Sequence, residues 1–280
     1  MRIAYLGPEK TFTETLTRQI FPDAELVPMI PIRRVVMAVE RGNVDLGVIP
    51  LENIYNGHVI HTLDSLTRCE NVRIVQERKM KVVHCLGALP NHGKITRIHS
   101  KDQALEQCDQ YIFENFPDAE LVLASSTSEA AAYIAQSGYL DSAAIASEAA
   151  LKQSGLEIMA VDICPNNFTR FIVLGRNLTP KTGDDKTIVA IHPIKRDQPG
   201  VLADITDIFR SQHINLEYVH SRPDRDNGYY FYVELDGHEN DENVRNSIVA
   251  IRYSLDARHK HPDTLKVLGS FPNSHWKDEN

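Results

Sequence analysis

Short apolar runs alternate with amphipathic stretches along the first 175 residues. A short continuous apolar run is typical of a buried strand, whereas apolar positions spaced three and four apart are typical of a helix packed on a sheet. The alternation therefore predicts an α/β region with largely parallel strand pairing. The predicted strands are 2–7, 25–29, 45–50, 95–99, 120–124 and 142–146, with further extended runs at 72–89, 157–163 and 168–174; the predicted helices are 11–21, 31–42, 58–68, 101–116, 127–136 and 147–154.

Two short repeats lie at nearly the same offset in this region. The heptapeptide FPDAELV occurs at 21–27 and again at 116–122, and DLGVIP at 45–50 has a weaker counterpart, DSAAIA, at 141–146. Two repeats in register indicate two similar lobes. The alternative is that turns from helix to strand reuse Pro-Asp for their own reasons.

The path of the chain predicts a cleft between two such lobes. The run 72–89 would carry the chain from the first lobe to the second, and 168–174 would return it. Because open α/β sheets bind ligands beyond the carboxyl ends of their strands, the loops at those ends should face the cleft. They are the loops after Leu6, Pro50, His99, Ala124 and Ala146.

A polar segment separates this region from a second unit. Residues 177–186 contain Pro, Gly and charged side chains without an apolar period, which indicates a linker. Beyond it, the order strand, helix, strand, strand, helix, strand predicts a ferredoxin-like βαββαβ domain, with Asp226-Asn227-Gly228 as the turn between its middle strands. The expected division is 1–176 (lobe 1 about 1–76 and 165–176, lobe 2 about 77–164), a linker at 177–186, a second domain at 187–272 and a tail at 273–280.

Composition and charge narrow the classes of function. The chain has 30 Lys and Arg against 38 Asp and Glu, a net charge of −8. This argues against nucleic-acid binding, and it means that an anionic ligand needs local positive groups. No apolar run reaches the ~18 residues of a membrane span, and the N-terminus turns polar too early for a signal peptide, so we expect a cytoplasmic protein. Cys69, Cys85, Cys108 and Cys164 form no CxxC pair and are expected to be buried rather than to bind metal or form disulfides.

Polar residues follow several of the predicted strands. Thr11 lies in a strand-to-helix turn, and the hydroxyl run 125–128 precedes an Ala-rich helix; each could help bind an anion or could simply cap its helix. Glu52 and Asn53 follow a buried strand and are candidate site residues, with a solvated turn as the alternative. Arg170 enters an apolar strand and needs an anionic partner, either a substrate carboxylate or a neighbouring acidic side chain.

Several strings together resemble prephenate dehydratases of the bacterial type, in which a catalytic region precedes an ACT regulatory domain. The catalytic motifs are GPEKTFTE at 7–14, PLENIYNGHVIHTLD at 50–64, SKDQALEQC at 100–108, and AAIASEAA at 143–150 with NNFTRFIVLG at 166–175; the ACT pattern is PGVL at 199–202, INL at 214–216 and SRP at 221–223. The resemblance covers about residues 2–272.

The resemblance implies a fold, an activity and a set of site residues. The fold would be that of type 2 periplasmic binding proteins, with two lobes and a cleft. The reaction would convert prephenate to phenylpyruvate, with loss of CO2 and water, in phenylalanine biosynthesis, without a metal or organic cofactor. The resemblance also implies a catalytic set of Thr169, Arg170 and Phe171, in which Arg170 clamps a carboxylate, and a substrate-binding set of Thr11, Glu52, Asn53, Ser126, Thr127 and Asn167.

For the ACT domain, the resemblance implies feedback control by phenylalanine and assembly into a homodimer or homotetramer. The residues that match the usual amino-acid-binding edge are Gly200, Val201, Leu202, Asn215 and Leu216.

Some positions depart from the family's motifs. They are Lys10, Ile54, Asn56, His58, His61, Lys101, Asp102 and His220. In the 54–61 loop, two serines and two glutamates of the family become an aliphatic, an amide and two imidazoles, which changes the proton donors near the substrate's hydroxyl. This leaves open a non-aromatising prephenate decarboxylase of a secondary-metabolite pathway. A catalytically silent binding or sensor protein with the same cleft and ACT domain is the third possibility.

Overall fold

The computed structural model describes residues 1–193, 199–223, 228–255 and 265–274, and three β-sheets organise them. The strands are β1 (Arg2–Leu6), β2 (Glu25–Met29), β3 (Leu46–Asn53), β4 (Gly57–His58), β5 (Arg73–Lys81), β6 (Cys85–Ala88), β7 (Arg97–Ser100), β8 (Glu120–Leu123), β9 (Ser142–Ala146), β10 (Glu157–Ala160), β11 (Phe168–Gly175), β12 (Asp185–Ile191), β13 (Leu216–Pro223), β14 (Tyr229–Asp236) and β15 (Leu265–Pro272). The helices are α1 (Phe12–Ile20), α2 (Ile32–Glu40), α3 (Ile60–Thr67), α4 (Asp102–Gln107), α5 (Asp109–Asn115), α6 (Thr127–Ser137), α7 (Glu148–Gln153), α8 (Val201–Ser211) and α9 (Glu242–Leu255).

The first two sheets form two lobes with the same topology. Lobe 1 has the strand order β2-β1-β3-β11-β5, and lobe 2 has the order β10-β6-β9-β7-β8. Both copies of FPDAELV end a helix and begin a strand, and that strand pairs in parallel with the strand before the helix, β2 with β1 and β8 with β7. The predicted fold class, an α/β region of two similar lobes, is confirmed.

Helix burial in lobe 1 follows the predicted amphipathic pattern. Helix α2 (IRRVVMAVE) buries Ile32, Val35, Val36 and Val39. Their spacing of three and four residues places them on one face, which packs on the sheet. The four cysteines of the chain are buried, as predicted.

Several boundaries differ from the sequence-based prediction. Strand β5 lies wholly in lobe 1, so the chain crosses to lobe 2 after Lys81 rather than near residue 77. The predicted helix 101–116 is broken into α4 and α5 at Cys108, where the Gln107 carbonyl accepts a hydrogen bond from the thiol of Cys164. Strand β3 runs on through Asn53 because β11 pairs with it there.

The C-terminal domain is the predicted βαββαβ sandwich. Its antiparallel sheet has the order β13-β14-β12-β15, and α8 and α9 pack on it around Ile205, Phe209 and Ile251. Strand β12 begins at Asp185, within the predicted linker. The predicted turn at 226–228 lies largely outside the described residues.

The sheet of the C-terminal domain packs directly on lobe 1. Tyr232, Leu268 and Phe271 belong to the same buried cluster as residues of α2, α3 and β5. The two sheets approach closely at Gly269, where an added Cβ would collide with the backbone oxygen of Ile74. A side chain at this position would therefore push the two sheets apart.

We expect Gly269→Ala to lower the free energy of unfolding by about 1–3 kcal/mol, the range of overpacking substitutions, because the obstacle is backbone that cannot rotate away. Urea unfolding followed by circular dichroism measures the change. Gly93→Ala is the matched control, since the nearest atom to its added Cβ is 3.9 Å away. Equal stability of the two variants would contradict the close approach.

Candidate active site

A cavity of about 1090 Å³ opens between the lobes and extends towards the C-terminal domain. The loops after Leu6, Pro50, His99 and Ala124 supply lining residues, as predicted from the ends of their strands, whereas the loop after Ala146 does not. The predicted site residues that line the cavity are Thr11, Asn53, Ser126, Thr127, Thr169 and Phe171.

Thr169 and Asn53 form the centre of this site. They lie opposite each other on β11 and β3, and the Asn53 amide Nδ2 donates to Thr169 Oγ1 at 2.9 Å. Both side chains are buried. Because a hydroxyl can accept and donate at once, this contact leaves the Thr169 O–H free to donate to another acceptor.

The orientation of the Asn53 amide is fixed by its neighbours. Asn53 Oδ1 accepts from the backbone N–H groups of Tyr55 and Asn56, so its Nδ2 must be the donor. Nδ2 also lies 2.7 Å from Asn167 Oδ1. Asn167 is fully buried beneath the site and does not line the cavity, so it supports Asn53 rather than presenting a group to a ligand.

Gln107 of lobe 2 extends this network across the cleft. Its Nε2 donates to Asn53 Oδ1 at 3.0 Å, and its Oε1 accepts from Asn167 Nδ2 at 2.8 Å. The same Oε1 faces His84 Nε2 at 2.9 Å. Since Oε1 can only accept, His84 must carry its proton on Nε2.

His84 therefore presents an unprotonated Nδ1, which has no hydrogen-bond partner among the described residues. Burial lowers the pKa of His84, although the contact with Gln107 acts in the opposite direction, so the ring is neutral at pH 7. It lines the cavity, edge to face with Phe12. His84 and Gln107 are not among the predicted site residues; the available signals were a histidine inside the apolar run 82–89 and the second glutamine of SKDQALEQC.

Thr11 and Ser126 are the N-caps of α1 and α6, at the wall of the cavity. Thr11 Oγ1 accepts from the backbone N–H of Glu14 at the start of α1, and Ser126 Oγ accepts from that of Glu129 at the start of α6. The capping role left open by the sequence thus applies to both. Thr127, the first residue of α6, lines the cavity beside Ser126.

Arg170 lies on the opposite face of β11, because successive side chains of a strand point to opposite faces. All five of its N–H donors are used by carboxylates. Nε and Nη2 donate to Glu77, Nη1 and Nη2 to Glu234, and Nη1 to Glu52. The predicted clamp of a substrate carboxylate by Arg170 does not fit this placement, nor does substrate binding by Glu52. The acidic partner that the sequence left as the alternative is what the structure shows.

These contacts favour the charged forms of Arg170 and Glu77. Burial would lower the pKa of the Arg170 guanidinium, but Glu234 and Glu77 raise it above its ordinary value. Burial would raise the pKa of Glu77, but Arg170 and the Ser274 hydroxyl lower it below its ordinary value. Glu77 is 1% exposed, and Ser274 donates to it through both its N–H and its O–H.

Other positive groups are available to an anion in the cavity. Lys101 lines it from lobe 2, and Arg33 and Arg68 line it from lobe 1; within the described ranges none of the three has an ion-pair partner. Those ranges contain no group of three or more His, Cys, Asp or Glu side chains that could hold a metal ion. They also contain no helix long and apolar enough to cross a membrane.

The predicted effector residues lie at opposite ends of α8. Gly200, with φ of 93°, precedes the helix, and Val201 and Leu202 begin it, whereas Asn215 and Leu216 follow its other end. Eleven helical residues span roughly 16 Å at 1.5 Å per residue. One chain alone therefore does not bring the two groups together.

Comparison with known families assigns the chain. A family model described as prephenate dehydratase matches residues 3–179, and one described as ACT domain matches residues 196–252. The chain belongs to the prephenate dehydratase family. The first match includes Thr169 and the other lining residues from the two lobes, and the second lies within the C-terminal domain.

Relatives of this family are similar over nearly the whole chain. A bifunctional chorismate mutase/prephenate dehydratase from Stutzerimonas stutzeri is 35% identical over 281 residues, which cover 98% of this chain and 74% of that protein. A prephenate dehydratase from Mycolicibacterium smegmatis is 32% identical, with coverages of 97% and 90%. The crystal structure of prephenate dehydratase in complex with L-Phe from Arthrobacter aurescens matches with a TM-score of 0.84 and 31% identity, over 98% of this chain and 90% of that one.

The lowered pKa of Glu77 predicts a pH-dependent stability. A carboxyl whose pKa is lower in the folded protein stabilises it above its ordinary pKa, and this contribution is lost as the pH falls through the lowered value. We expect Glu77→Gln to be less stable than wild type at pH 7 and to lose less stability between about pH 5 and the acid transition. Urea unfolding at a series of pH values tests this, with the exposed Glu9→Gln as control. Parallel pH profiles for wild type and Glu77→Gln would refute it.

Proposed function

We infer that this chain is a prephenate dehydratase, which decarboxylates and dehydrates prephenate to phenylpyruvate for phenylalanine biosynthesis. The observation that carries this function is the Thr169–Asn53 pair at the wall of a cavity between two lobes. The family's Thr-Arg-Phe motif is intact in this chain, and the cavity presents hydroxyls, helix N-termini and cationic side chains to an anion. No metal or organic cofactor is proposed.

The chemistry makes limited demands on the protein. In prephenate, the bond between the ring and its carboxylate breaks and its electron pair enters the ring, while the C–O bond to the 4-hydroxyl breaks and releases hydroxide. The dianion thus becomes the phenylpyruvate anion, CO2 and hydroxide. Formation of the aromatic ring drives the reaction. The enzyme must hold both carboxylates and stabilise the departing oxygen, which is positioning plus hydrogen-bond donation.

Thr169 supplies that donor. Its oxygen accepts from Asn53 Nδ2, and a hydroxyl that accepts a hydrogen bond becomes a stronger donor through its own hydrogen. Asn53 is fixed as a donor by the backbone, so the direction of the chain of hydrogen bonds is set before substrate arrives. A threonine hydroxyl is too weak an acid to ionise at neutral pH, and it acts as a donor rather than a base.

The carboxylates bind at the two helix N-termini. The N-termini of α1, at Thr11, and α6, at Ser126 and Thr127, open on the cavity from the two lobes, and helix N-termini favour anions. Lys101 adds a positive charge from lobe 2 that Arg170 cannot supply, because the guanidinium is occupied. Phe171, packed beside Thr169, contributes apolar wall for the ring.

The sequence changes in the 54–61 loop left open a prephenate decarboxylase, but the structure places most of the changed side chains away from the cavity. Of the four changed positions, His61 lines the cavity. Ile54 is 63% exposed, Asn56 is held by Gln107, and His58 turns towards the ACT domain and stacks on Tyr218 at 3.5 Å. Incubation of the purified protein with prephenate distinguishes the two reactions by their products. Phenylpyruvate, measured by its absorbance in alkali, supports dehydration, whereas CO2 release with a retained diene or a conjugated enone contradicts it.

Phenylalanine is the proposed effector of the ACT domain. Because Gly200 to Leu202 and Asn215 with Leu216 lie at opposite ends of α8, we propose that the two groups meet across two copies of the chain, in a homodimer or homotetramer. The relative crystallised with L-Phe supports the ligand class. Phenylalanine binding by a species that sedimentation shows to be a monomer would contradict this site.

A cytoplasmic location fits a biosynthetic enzyme of this kind and is likewise a proposal.

We expect Thr169→Ala to lower kcat for prephenate by about 10²–10³-fold and to change KM by less than a few-fold, because the hydroxyl acts as charge develops on the departing oxygen. Steady-state phenylpyruvate formation measures both constants. Thr169→Ser keeps the hydroxyl and should retain most of the activity. A Thr169→Ala variant affected in KM alone would remove the proposed role.

We expect Lys101→Ala to raise KM about tenfold with a smaller effect on kcat, since the ammonium binds a carboxylate present in both substrate and transition state. The KM of wild type should also rise more steeply with ionic strength than that of the variant. Lys94→Ala, an exposed lysine of lobe 2 outside the cavity, is the control. Equal KM values in the two variants would exclude Lys101 from substrate binding.

A further inference from the structure

Strand β11 lies between the active site and the ACT domain. Thr169 faces the cavity, and the next residue, Arg170, faces the ACT domain. Their opposite neighbours on β3 alternate in the same way, Asn53 with Thr169 and Glu52 with Arg170. A force on the Arg170 side chain therefore acts on the backbone that carries Thr169.

The pairing of β3 with β11 is interrupted next to Arg170. Arg170 lies opposite Glu52 and Phe171 lies opposite Pro50, so Leu51 is an extra residue on β3. A bulge of this kind disrupts the hydrogen-bond ladder and bends the strand locally. On its other side β11 stays in register with β5 from Phe168 to Val173, so the interrupted pairing is confined to the β3 side. There the ion pairs of Arg170 with Glu52, Glu77 and Glu234 add side-chain restraint to the backbone pairing.

Glu234 of β14 supplies the contact from the ACT domain. Its two oxygens accept from Arg170 Nη1 at 3.1 Å and Nη2 at 2.6 Å, a bidentate pair that fixes the direction of the guanidinium as well as its position. Glu234 is 1% exposed, so water cannot easily replace it. The Lys186 ammonium, 3.5 Å from Glu234, holds the carboxylate from the ACT side.

We propose that Glu234 is a positioning residue for the dehydratase reaction. Through Arg170 it holds β11 beside the bulge so that the Thr169 hydroxyl keeps its direction towards the substrate. Glu234 is 1% exposed and lies on the far side of β11 from the reacting atoms. Through it the ACT domain takes part in forming the active site. The kinetic part of this inference rests on the proposed function.

Glu234→Gln removes the charge and keeps the shape of the side chain. We expect kcat to fall at least fivefold while KM stays within twofold, because the affected group acts in the transition state. Glu239→Gln is the matched control. Glu239 also joins the ACT domain to lobe 1, through Arg73 at 2.5 Å, but Arg73 pairs with Gly175 at the far end of β11 from Thr169. Its kcat should stay within twofold of wild type.

A second measurement needs no substrate, and it separates failure of this inference from failure of the proposed function. The γ-methyl group of Thr169 gives a signal in 1H–13C spectra of threonine-labelled protein, assigned by its loss in Thr169→Ser. We expect this signal to shift or broaden in Glu234→Gln and to stay unchanged in Glu239→Gln. Glu234→Asp, which keeps the charge but withdraws the carboxylate by one methylene, should show an intermediate change and guards against loss of folding in Glu234→Gln.

Two results would overturn the proposal. One is an unchanged Thr169 signal in a folded Glu234→Gln protein. The other is an equal loss of kcat in Glu234→Gln and Glu239→Gln, which would show a general effect of weakening the contact between domains. If no variant or wild type turns over prephenate, the methyl spectra still decide whether Glu234 positions Thr169.

Discussion

Alternation of side chains along one strand governs the arrangement of this protein. One face of strand β11 lines the cavity, and the other face packs against the ACT domain. Thr169 and Arg170 are consecutive, so they cannot both face the same side. The strand therefore serves two neighbours at once, with a hydroxyl towards the cavity and a guanidinium towards the ACT domain.

Burial of the charged side chains on the ACT-facing side of β11 costs free energy, and it requires oppositely charged partners in defined positions. Arg170 pairs with Glu52, Glu77 and Glu234. Removing water from such groups costs several kcal/mol per ion, and only ion pairs and hydrogen bonds to every donor and acceptor can offset that cost. All five N–H donors are satisfied here. The apolar core shared by lobe 1 and the ACT domain stabilises their association, and the ion cluster sets how the two domains align.

The polar side of β11 is organised differently. Its centre is a set of neutral side-chain amides, those of Asn53, Gln107 and Asn167. Two backbone N–H groups fix which atom of Asn53 accepts, and Asn53 in turn fixes the donors and acceptors of the other two amides. Because Gln107 belongs to lobe 2 and the other two to lobe 1 or its connection, the network also joins the lobes at the back of the cavity. A change in the separation of the lobes would alter the same hydrogen bonds that direct Thr169.

Much of the architecture was determined by local pattern alone. Apolar periodicity located most strands and helices, the repeated FPDAELV indicated two like lobes, and the order of elements after residue 185 defined the C-terminal sandwich, because these features depend on near neighbours in the chain. The short motifs likewise identified the family and Thr169. They placed Arg170 at the substrate together with Thr169, although consecutive side chains of a strand point to opposite faces.

Tertiary structure alone decided what each polar side chain meets. Glu77 and Glu234 lie 93 and 64 residues from Arg170 in the chain, and no local pattern connects them. His84 and Gln107 became site residues only when the two crossings between lobes brought the segment before β6 and the end of α4 to the back of Asn53. The sequence by itself specified which groups could form ion pairs and hydrogen bonds; the packing of three sheets specified the partners, because burial leaves each group only those neighbours that the fold brings within reach.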